Sequence, residues 1–596
     1  FQGVVGSMSV RSSWDSLQKA GVAAREMLIE AAARRWKVDP SQCHAENSAV
    51  INPSGARLTY GELAEAAAKV PVPRNPPLKD PKQFAIVGKP VKRLDTPNKV
   101  DGKTRFGIDV RGPEMVYAVL ARCPVFGGKV ASFDASKAKA VPGVKDVVRI
   151  SNGVAVIATD TWSAMQGRKA LEIQWDEGPN ASQSSAKISQ LLAERAKQPG
   201  AVAHKVGDAA SAISGSTRKI EAVYEAPFLA HAAMEPLNCT AHVRKGECDV
   251  WASTQMQTPA HNLAMKITGF PAEKVRIHTM FMGGGFGRRA AVDFVGEAVE
   301  VAKAIGTPVK LTWSREDDMQ HDMYRPVSYV HFEGAVDGAG WPLAMSARVA
   351  CPSFAGLRNG VDGAAVEGLS DLGYGIPHQL VDYRVVDTGI PTFYWRSVGY
   401  TQNTFFAESF VDELASFGGK NPIEVRRRLL ENSPRMLGVL ELAVEKAGEA
   451  ENGVFGGIAL ANNVGSYNAQ IAEVSIRRGK LKVDRVICAI DCGRVVNPAI
   501  VEQQIRSAIV YGLSAALKGK ITIDQGRVQQ RNFNQYDGLR IDEMPYIEVY
   551  IVPSEHAPGG IGEAGVPAIA PAVANAVFAA TGKRIRQLPI RAEDLA

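Results

Sequence analysis

The sequence predicts an α+β chain built from several domains, and three observations carry that prediction. At 596 residues it is longer than one hydrophobic core can serve, so two to four domains are expected. Through residues 85–178, short β-rich runs (MVYAVLARCP, VKDVVRI, GVAVIAT) alternate with short helical patches such as WSAMQGRKALE, the pattern of a compact α+β module. Two stretches break the periodicity: the proline-rich VPVPRNPPLKDPKQF at 70–84 and KAGEAENGVFGG near 445–457.

Taken in order, the opening FQGVVGSMSVRSS reads as a strand and loop. Ser12 to Trp36 reads as an Ala-rich amphipathic helix, with Leu17, Gly21, Ala24, Leu28 and Ala31 spaced three or four apart. The proline-rich stretch is a linker, and the polar EGPNASQSSAK closes the module that follows. The expected units are therefore 1–82, 83–180, 181–450 and 451–596. The chain opens at Phe1 without an initiator Met or a signal segment, so a portion upstream of Phe1 is expected.

Composition narrows the function classes. Hydrophobic residues make up 45% and charged residues 22%, with a net charge of +7 spread along the chain. The densest basic cluster, Arg426–Arg428, lies in a helix-like run without interleaved aromatics. It reads as a solvated helix face, and nucleic-acid partners are discounted. The seven cysteines form no CxxC pair and no zinc-type quartet, and Cys488 and Cys492 in CAIDCG read as packing residues. No apolar run reaches the length of a membrane span.

Four motifs carry chemistry. In VRIHTMFMGGGFGRRAAVDFVGEAVEVAKAIG, a β-rich run ends at Met282. Gly283, Gly284, Gly285, Phe286 and Gly287 follow, and a helix runs from about Ala291 to Gly306. Glycines between strand and helix allow positive φ and bring backbone N–H groups close to an anion, and Arg288 and Arg289 add charge nearby. Neither the Rossmann nor the Walker spacing is present; the plain alternative is a glycine turn. In HAPGGIGEAGVPAIAPAVANAVFAATGKR, Glu563 stands between Gly562 and Ala564, unshielded by bulky sequence neighbours, as a general base must be. A carboxylate near a helix start is the bland reading.

In PTFYWRSVGYTQN, Arg396 follows Trp395 and precedes a helix starting near Thr401. It suits either orienting a polar group or stacking on Trp395. LAHAAMEPLNCTA, WASTQMQTPAH and VEQQIRSAIVYGLSAAL place polar residues, among them Gln255 and Gln503, in apolar surroundings.

Together these segments resemble the molybdopterin-binding large subunits of the xanthine dehydrogenase and aldehyde oxidase family, in its bacterial isoquinoline 1-oxidoreductase and membrane-bound aldehyde dehydrogenase branch. The likeness covers essentially the whole chain. SMSVRSSWDSLQKAGVAAREML resembles the family's N-terminal region, and 85–178 its α/β hammerhead domain. MGGGFGRR, WRSVGYTQN, the IDCGRVVNP to QIRSAIVYGLSAAL run and GGIGEAG resemble its cofactor and active-site loops. MGGGFGRR followed by TWSREDDMQHDMYRP is the most specific signal.

The resemblance implies a hammerhead domain followed by two large mixed molybdenum-cofactor-binding domains, 181–450 and 451–596. It implies molybdenum held by a pterin dithiolene, in bacteria usually the cytosine dinucleotide form, with no protein metal ligand. Glu563 would be the catalytic base, taking a proton as an oxygen derived from water attacks the substrate carbon. Phe286, Arg396, Trp395 and Leu229 would line the substrate pocket. Gln255, Gly284, Gly285, Phe286, Gly287, Arg288, Arg396, Gln503, Gly562 and Glu563 would hold the cofactor. A small subunit with two [2Fe–2S] clusters and a multi-haem cytochrome c subunit would carry electrons away, and the complex would sit in the periplasm, attached to the membrane through a partner.

Departures from the pattern narrow the substrate. Purine-hydroxylating relatives carry a Glu where Ala290 stands and a Gln where Leu229 stands. Without them a buried purine edge is left unpaired at about 1–3 kcal/mol per group. The family's GQG-type loop is not in this chain and is expected upstream of Phe1 or on another chain. Aldehyde oxidation is the leading reading, with hydroxylation of an N-heteroaromatic such as isoquinoline or nicotinate as the alternative. A nicotinamide-dependent aldehyde dehydrogenase would need a Rossmann fingerprint and a nucleophilic Cys that the sequence does not show. Glu563 in a complete GGIGEAG loop argues against a non-catalytic scaffold.

Overall fold

A computed structural model describes residues 1–449 and 451–595. Of the breaks expected from sequence, the one after residue 450 falls on Ala450, and the last unit ends on Ala596; both residues lie outside the described ones.

The opening residues form no strand. A turn at Gly6–Ser7 leads into a one-turn helix, Met8–Arg11, and then into the long helix Trp14–Trp36. That helix packs with a three-stranded antiparallel sheet and the helix Tyr60–Ala67 around Ile29, Ala32, Val50 and Leu63. Thr59 and Glu62 close a capping box at the start of Tyr60–Ala67. The proline-rich stretch has only a three-residue turn of helix at Pro81–Gln83. The chain after it runs along a distant part of the molecule: Gly88 N–H donates to the Val496 carbonyl (2.9 Å), and the Asn497 amide to that of Val91 (2.8 Å).

Strands Val116–Ala121, Gly153–Ala158 and Val144–Ile150 continue directly into a seven-stranded sheet. Val116–Ala121 pairs in parallel with Val309–Thr312, which leads on to Asn238–Arg244, Glu247–Ala252 and Val275–Thr279. Helices Gln257–Thr268 and Asp293–Ile305 cover this sheet. Asp293–Ile305 buries Phe294, Val295, Ala298, Val299, Val301 and Ala302, and stops at Gly306, whose φ of 70° a Cβ would resist.

A five-stranded sheet (Lys219–Ala226, Ser328–Val336, Pro342–Cys351, His378–Val385, Ala201–Val206) and a four-stranded sheet (Phe455–Asn463, Ser466–Arg477, Lys480–Asp491, Tyr546–Ile551) share one core. Helix Tyr400–Phe417 lies between them and is buried continuously from Thr401 to Ala415. Its buried carboxylates must be paired. Arg426 meets Glu408 at 2.8 Å and Asp412 at 3.4 Å, Arg584 meets Asp412 at 2.6 Å, and Arg586 meets Glu413 at 2.6 Å. The basic cluster is therefore only partly a solvated face. Arg426 is 0% exposed, because the Tyr400–Phe417 helix carries acids that no water reaches, while Arg427 pairs with Glu441 and Arg428 lies over Trp341. Cys488 and Cys492 are buried, and burial pushes their thiols up to about 12 and about 11.

Candidate active site

Three chain segments distant in sequence meet at one place: residues 1–7, the glycine loop 283–287, and 559–563. Gln255 joins the first two. Its side-chain amide donates to the Val4 carbonyl (3.0 Å), its backbone carbonyl accepts from Val4 N–H (2.8 Å), and its Oε1 accepts from Gly287 N–H (3.3 Å). Ser7 and Glu563 join the first and third, the Ser7 hydroxyl donating to Glu563 Oε2 at 2.8 Å.

The approach needs glycine at two points in particular. Gly287 has φ 111°, and a Cβ there would stand 1.9 Å from the Tyr394 carbonyl oxygen; a Cβ at Gly560 would stand 2.6 Å from that of Ser7. Among the described residues, the N–H groups of Gly284, Gly285 and Phe286, and those of Ile561, Gly562 and Glu563, donate to no protein acceptor. Consecutive free N–H groups on loops converging at one place form a receptor for anionic ligand atoms, so these residues fit a cofactor that carries phosphate and thiolate groups.

Arg288 and Arg289 do not add to that receptor. Arg288 is 2% exposed and lies against Asp293 (2.7 Å), Asp322 (2.9 Å) and the Trp313 ring. Arg289 is 0% exposed and binds Glu235 and the Gly284 carbonyl. Both charges are compensated inside the fold. The expectation that Arg288 faces the ligand is corrected: it holds the base of the loop, and the loop's backbone faces outward.

Glu563 hangs from a second strained loop. Its Oε1 accepts from Ser397 N–H (3.3 Å) and its backbone carbonyl from the Ser397 hydroxyl (2.6 Å). Ser397 and Val398 have φ of 75° and 53°, two successive left-handed residues neither of which is Gly, a conformation kept only where the surroundings impose it. Arg396 turns away from the pocket. Nε donates to the Gly562 carbonyl at 2.7 Å and Nη2 donates to the same oxygen; Nη1 donates to the Ser507 hydroxyl (3.1 Å) and Nη2 to Gln504 Oε1 (3.3 Å). Its expected place among the pocket residues is thus corrected to a clamp on the loop that presents Glu563. Gln504 is the helix Pro498–Leu517 glutamine in this cluster. Gln503, expected there, is exposed, one residue around the helix.

The apolar wall is a stack of three rings. Phe286 stacks on Tyr511 (centroids 4.5 Å, 21°), and Tyr511 stacks on Trp395 (4.5 Å, 20°). Phe286 is the half-buried member. Trp395 is 2% exposed and donates to the Ala230 carbonyl, while Leu229, 0% exposed, packs behind it with Ala508, Ala515 and Val566. Leu229 and Trp395 therefore back the wall and do not line the pocket, where both were expected. Tyr511, whose hydroxyl donates to the His231 carbonyl (3.1 Å), is the ring that sequence reasoning missed. Ser7, Ser397 and Glu367 were missed as well. Glu367 is half-buried near Glu563, and burial, with Asp371, Glu563 and Asp362 around it, pushes its carboxyl up to about 7.

Comparison with known proteins gives a consistent result. Two molybdopterin cofactor-binding domain families match, over residues 194–430 and 444–545. The chain is 30% identical to isoquinoline 1-oxidoreductase subunit beta of Brevundimonas diminuta, covering 97% of this chain and 82% of that one. It is 28% identical to the membrane-bound aldehyde dehydrogenase (pyrroloquinoline-quinone) of Gluconacetobacter polyoxogenes, over 99% and 83%. The fold is that of quinoline 2-oxidoreductase from Pseudomonas putida 86, with a TM-score of 0.74 at 16% identity, covering 85% of this chain and 97% of that chain.

Proposed function

The chain belongs to the xanthine dehydrogenase family as a molybdopterin-binding large subunit, and from that premise we propose that it oxidises aldehydes to carboxylic acids with water as the oxygen source. The observation that carries the reading is the setting of Glu563: a carboxylate gripped by Ser7 and Ser397 beside free backbone N–H donors and a stacked aromatic wall. When bound, the molybdenum cofactor supplies the two-electron oxidation. The residues of this chain do the rest. Glu563 takes up a proton at a carboxylate oxygen while the substrate carbon is attacked. Arg396, through Gly562, and Ser397 fix where that oxygen stands. Phe286 presents an apolar face that confines the substrate and excludes water.

At the two positions where purine-hydroxylating relatives carry polar grips, this chain has Ala290 and Leu229, both buried. Little here would compensate a purine edge, at about 1–3 kcal/mol per unpaired group. A second reading, hydroxylation of an N-heteroaromatic ring, draws on the name of the Brevundimonas relative and on the flat ring of Phe286, which suits a stacked heterocycle. For the cofactor we favour the cytosine dinucleotide form, lying along Gln255, Gly284, Gly285, Gly287 and Gly562. A small [2Fe–2S] subunit and a multi-haem cytochrome c would take the electrons, in the periplasm. The relatives' names, a subunit beta and a membrane-bound dehydrogenase, support such an assembly.

The test is elemental molybdenum on the purified complex paired with acetaldehyde-dependent dye reduction. Stoichiometric molybdenum with turnover supports the aldehyde reading. Molybdenum with isoquinoline turnover alone transfers support to the second reading, and an active preparation without molybdenum overturns both.

A further inference from the structure

The free N–H groups of the site share a feature on their far side. In a trans peptide the C=O of one residue and the N–H of the next point in opposite directions, so whatever holds the carbonyl also aims the N–H. Behind each of the Gly284, Gly285, Phe286, Ile561 and Glu563 N–H groups stands a held carbonyl. On the glycine loop, the Gly283 carbonyl accepts from Glu235 N–H (3.1 Å), that of Gly284 from Arg289 Nε (2.7 Å) and that of Gly285 from Arg288 N–H (2.9 Å). On the second loop, the Gly562 carbonyl accepts from Arg396 Nε (2.7 Å) and the Gly560 carbonyl from the Ser466 hydroxyl (2.6 Å).

Ser466 reaches that carbonyl from a strained turn. Strands Phe455–Asn463 and Ser466–Arg477 are joined by a two-residue hairpin turn, and both its residues are left-handed, Val464 at φ 50° and Gly465 at 80°. A β-branched residue rarely takes that conformation, and it persists where the surroundings impose it. Here the loop of Glu563 is the surroundings: the Val464 carbonyl accepts from Gly560 N–H at 2.8 Å. Gly560 is thus gripped at its N–H by the turn and at its C=O by the residue after it. A Cβ at Gly559 would stand 2.5 Å from Ser466 Oγ, and one at Gly560 2.7 Å from a Val464 methyl. Ser466 is 0% exposed, as are Asn468 and Gln470, the next residues on the same strand face. Those two spend their amides on the same loop, Asn468 on the Ala564 carbonyl (2.8 Å) and Gln470 on that of Gly565 (2.8 Å). A polar row inside a core is costly unless it is paired, and the carbonyls of this loop are what pair it.

We propose that Ser466 is a positioning residue of the cofactor receptor: by holding the Gly560 carbonyl, it aims the Ile561 N–H at an anionic atom of the bound cofactor. The hydroxyl is buried and spent on Gly560, so it acts through the peptide alone. Its hydrogen bond also polarises that peptide, which makes the opposite N–H a stronger donor. Gln470 has a different task, because the N–H across from the Gly565 carbonyl, on Val566, is spent on the Glu563 carbonyl (3.0 Å). The proposal rests on the reading of the free N–H groups as the receptor for the molybdenum cofactor, whichever substrate is oxidised.

The test is hydrogen–deuterium exchange by mass spectrometry on the assembled complex, molybdenum-loaded and cofactor-free, with overlapping peptides resolving the Ile561 amide. In the parent protein, loading should slow exchange at Ile561 about tenfold, since the amide gains an acceptor. In loaded Ser466→Ala that amide should exchange about tenfold faster than in the loaded parent, and molybdenum should leave the dialysed complex about tenfold faster. Ser466→Cys keeps the shape of the side chain with a weaker donor; it should fall between the two on both counts, and it carries the test if Ser466→Ala does not fold. Gln470→Leu, on the same strand face, should leave the Ile561 rate within about twofold of the parent, which separates aim from a general loosening of the strand. Ile561 exchange at the parent's rate in both Ser466 variants, or equal acceleration in Ser466→Ala and Gln470→Leu, overturns the proposal alone. No slowing on loading in the parent overturns the receptor reading and the proposal with it.

Discussion

Replacing Arg396 by Lys separates two roles that the sequence left open. The guanidinium makes a two-pronged contact with the Gly562 carbonyl and reaches Ser507 and Gln504, all on the protein itself. Lys keeps the charge but is a point donor, so one prong on Gly562 and the link to Gln504 are lost together. Hydrogen bonds from a charged donor contribute about 1.5–3 kcal/mol each, and part of that loss is recovered as the loop and water relax. A net loss of about 1.5–3 kcal/mol in the placement of Glu563 corresponds to a fall of roughly tenfold to a hundredfold in kcat. The assay is dye reduction over a range of aldehyde concentrations in the complete complex, with molybdenum content and Tm measured in parallel. The account predicts that kcat falls while KM stays within about twofold, because the residue touches the loop and not the substrate. A large rise in KM at unchanged kcat would refute the reasoning, since that is the signature of a substrate handle.

Other consequences follow from the same geometry. Gly287→Ala puts a Cβ on the Tyr394 carbonyl at a φ that Ala resists, so the purified protein should lose most of its molybdenum by elemental analysis while its circular dichroism is retained. Ser7→Ala removes the 2.8 Å bond to Glu563 and should lower kcat about three- to thirtyfold without changing molybdenum content. Glu367 titrates higher in the folded protein (about 7) than its ordinary 4.5, so folding takes up a proton between those values; the stability that proton confers is complete below about pH 4.5 and lost as pH climbs through 7. Glu367→Gln should therefore raise Tm at about pH 8.5, by an effect of order 3 kcal/mol, and leave it unchanged near pH 4.5. Arg426→Met leaves the buried carboxylate of Glu408 without its cation, while Asp412 keeps Arg584, and should cost about 3–5 kcal/mol in chemical denaturation.

The sequence disclosed most where a local signal has a local cause. The strand, glycine loop and helix ending at Gly306 and the irregular proline-rich stretch follow from positive-φ glycines, apolar spacing and proline. Glu563 stood out because small neighbours leave a carboxylate unshielded, and the structure sets it among two serines and free backbone donors. What depends on long-range pairing was not legible. Arg288 and Arg426 carry charge that the sequence cannot assign, because their partners Asp322 and Glu408 become neighbours only after folding. Gln503 and Gln504 differ by one step of about 100° around a helix, too little for an apolar pattern to resolve when both neighbours are polar. Tyr511 sat unremarked in a helical run because nothing local shows that Phe286 and Trp395 sandwich it. The opening residues read as strand-like, yet residues 1–7 form a loop laid across the site, its conformation set by Gln255 and Glu563 and by no local propensity.

The central claim is that Glu563 is the proton acceptor of a molybdenum-dependent oxidation, and Glu563→Gln tests it most directly. The amide keeps the size of the side chain and a carbonyl oxygen for the Ser7 hydroxyl, but it cannot take up the proton. Molybdenum content and aldehyde-dependent dye reduction are measured on the same preparation. The account predicts unchanged molybdenum and a fall in turnover of about a hundredfold to ten-thousandfold. Turnover near that of the parent protein, with molybdenum in place, would contradict it.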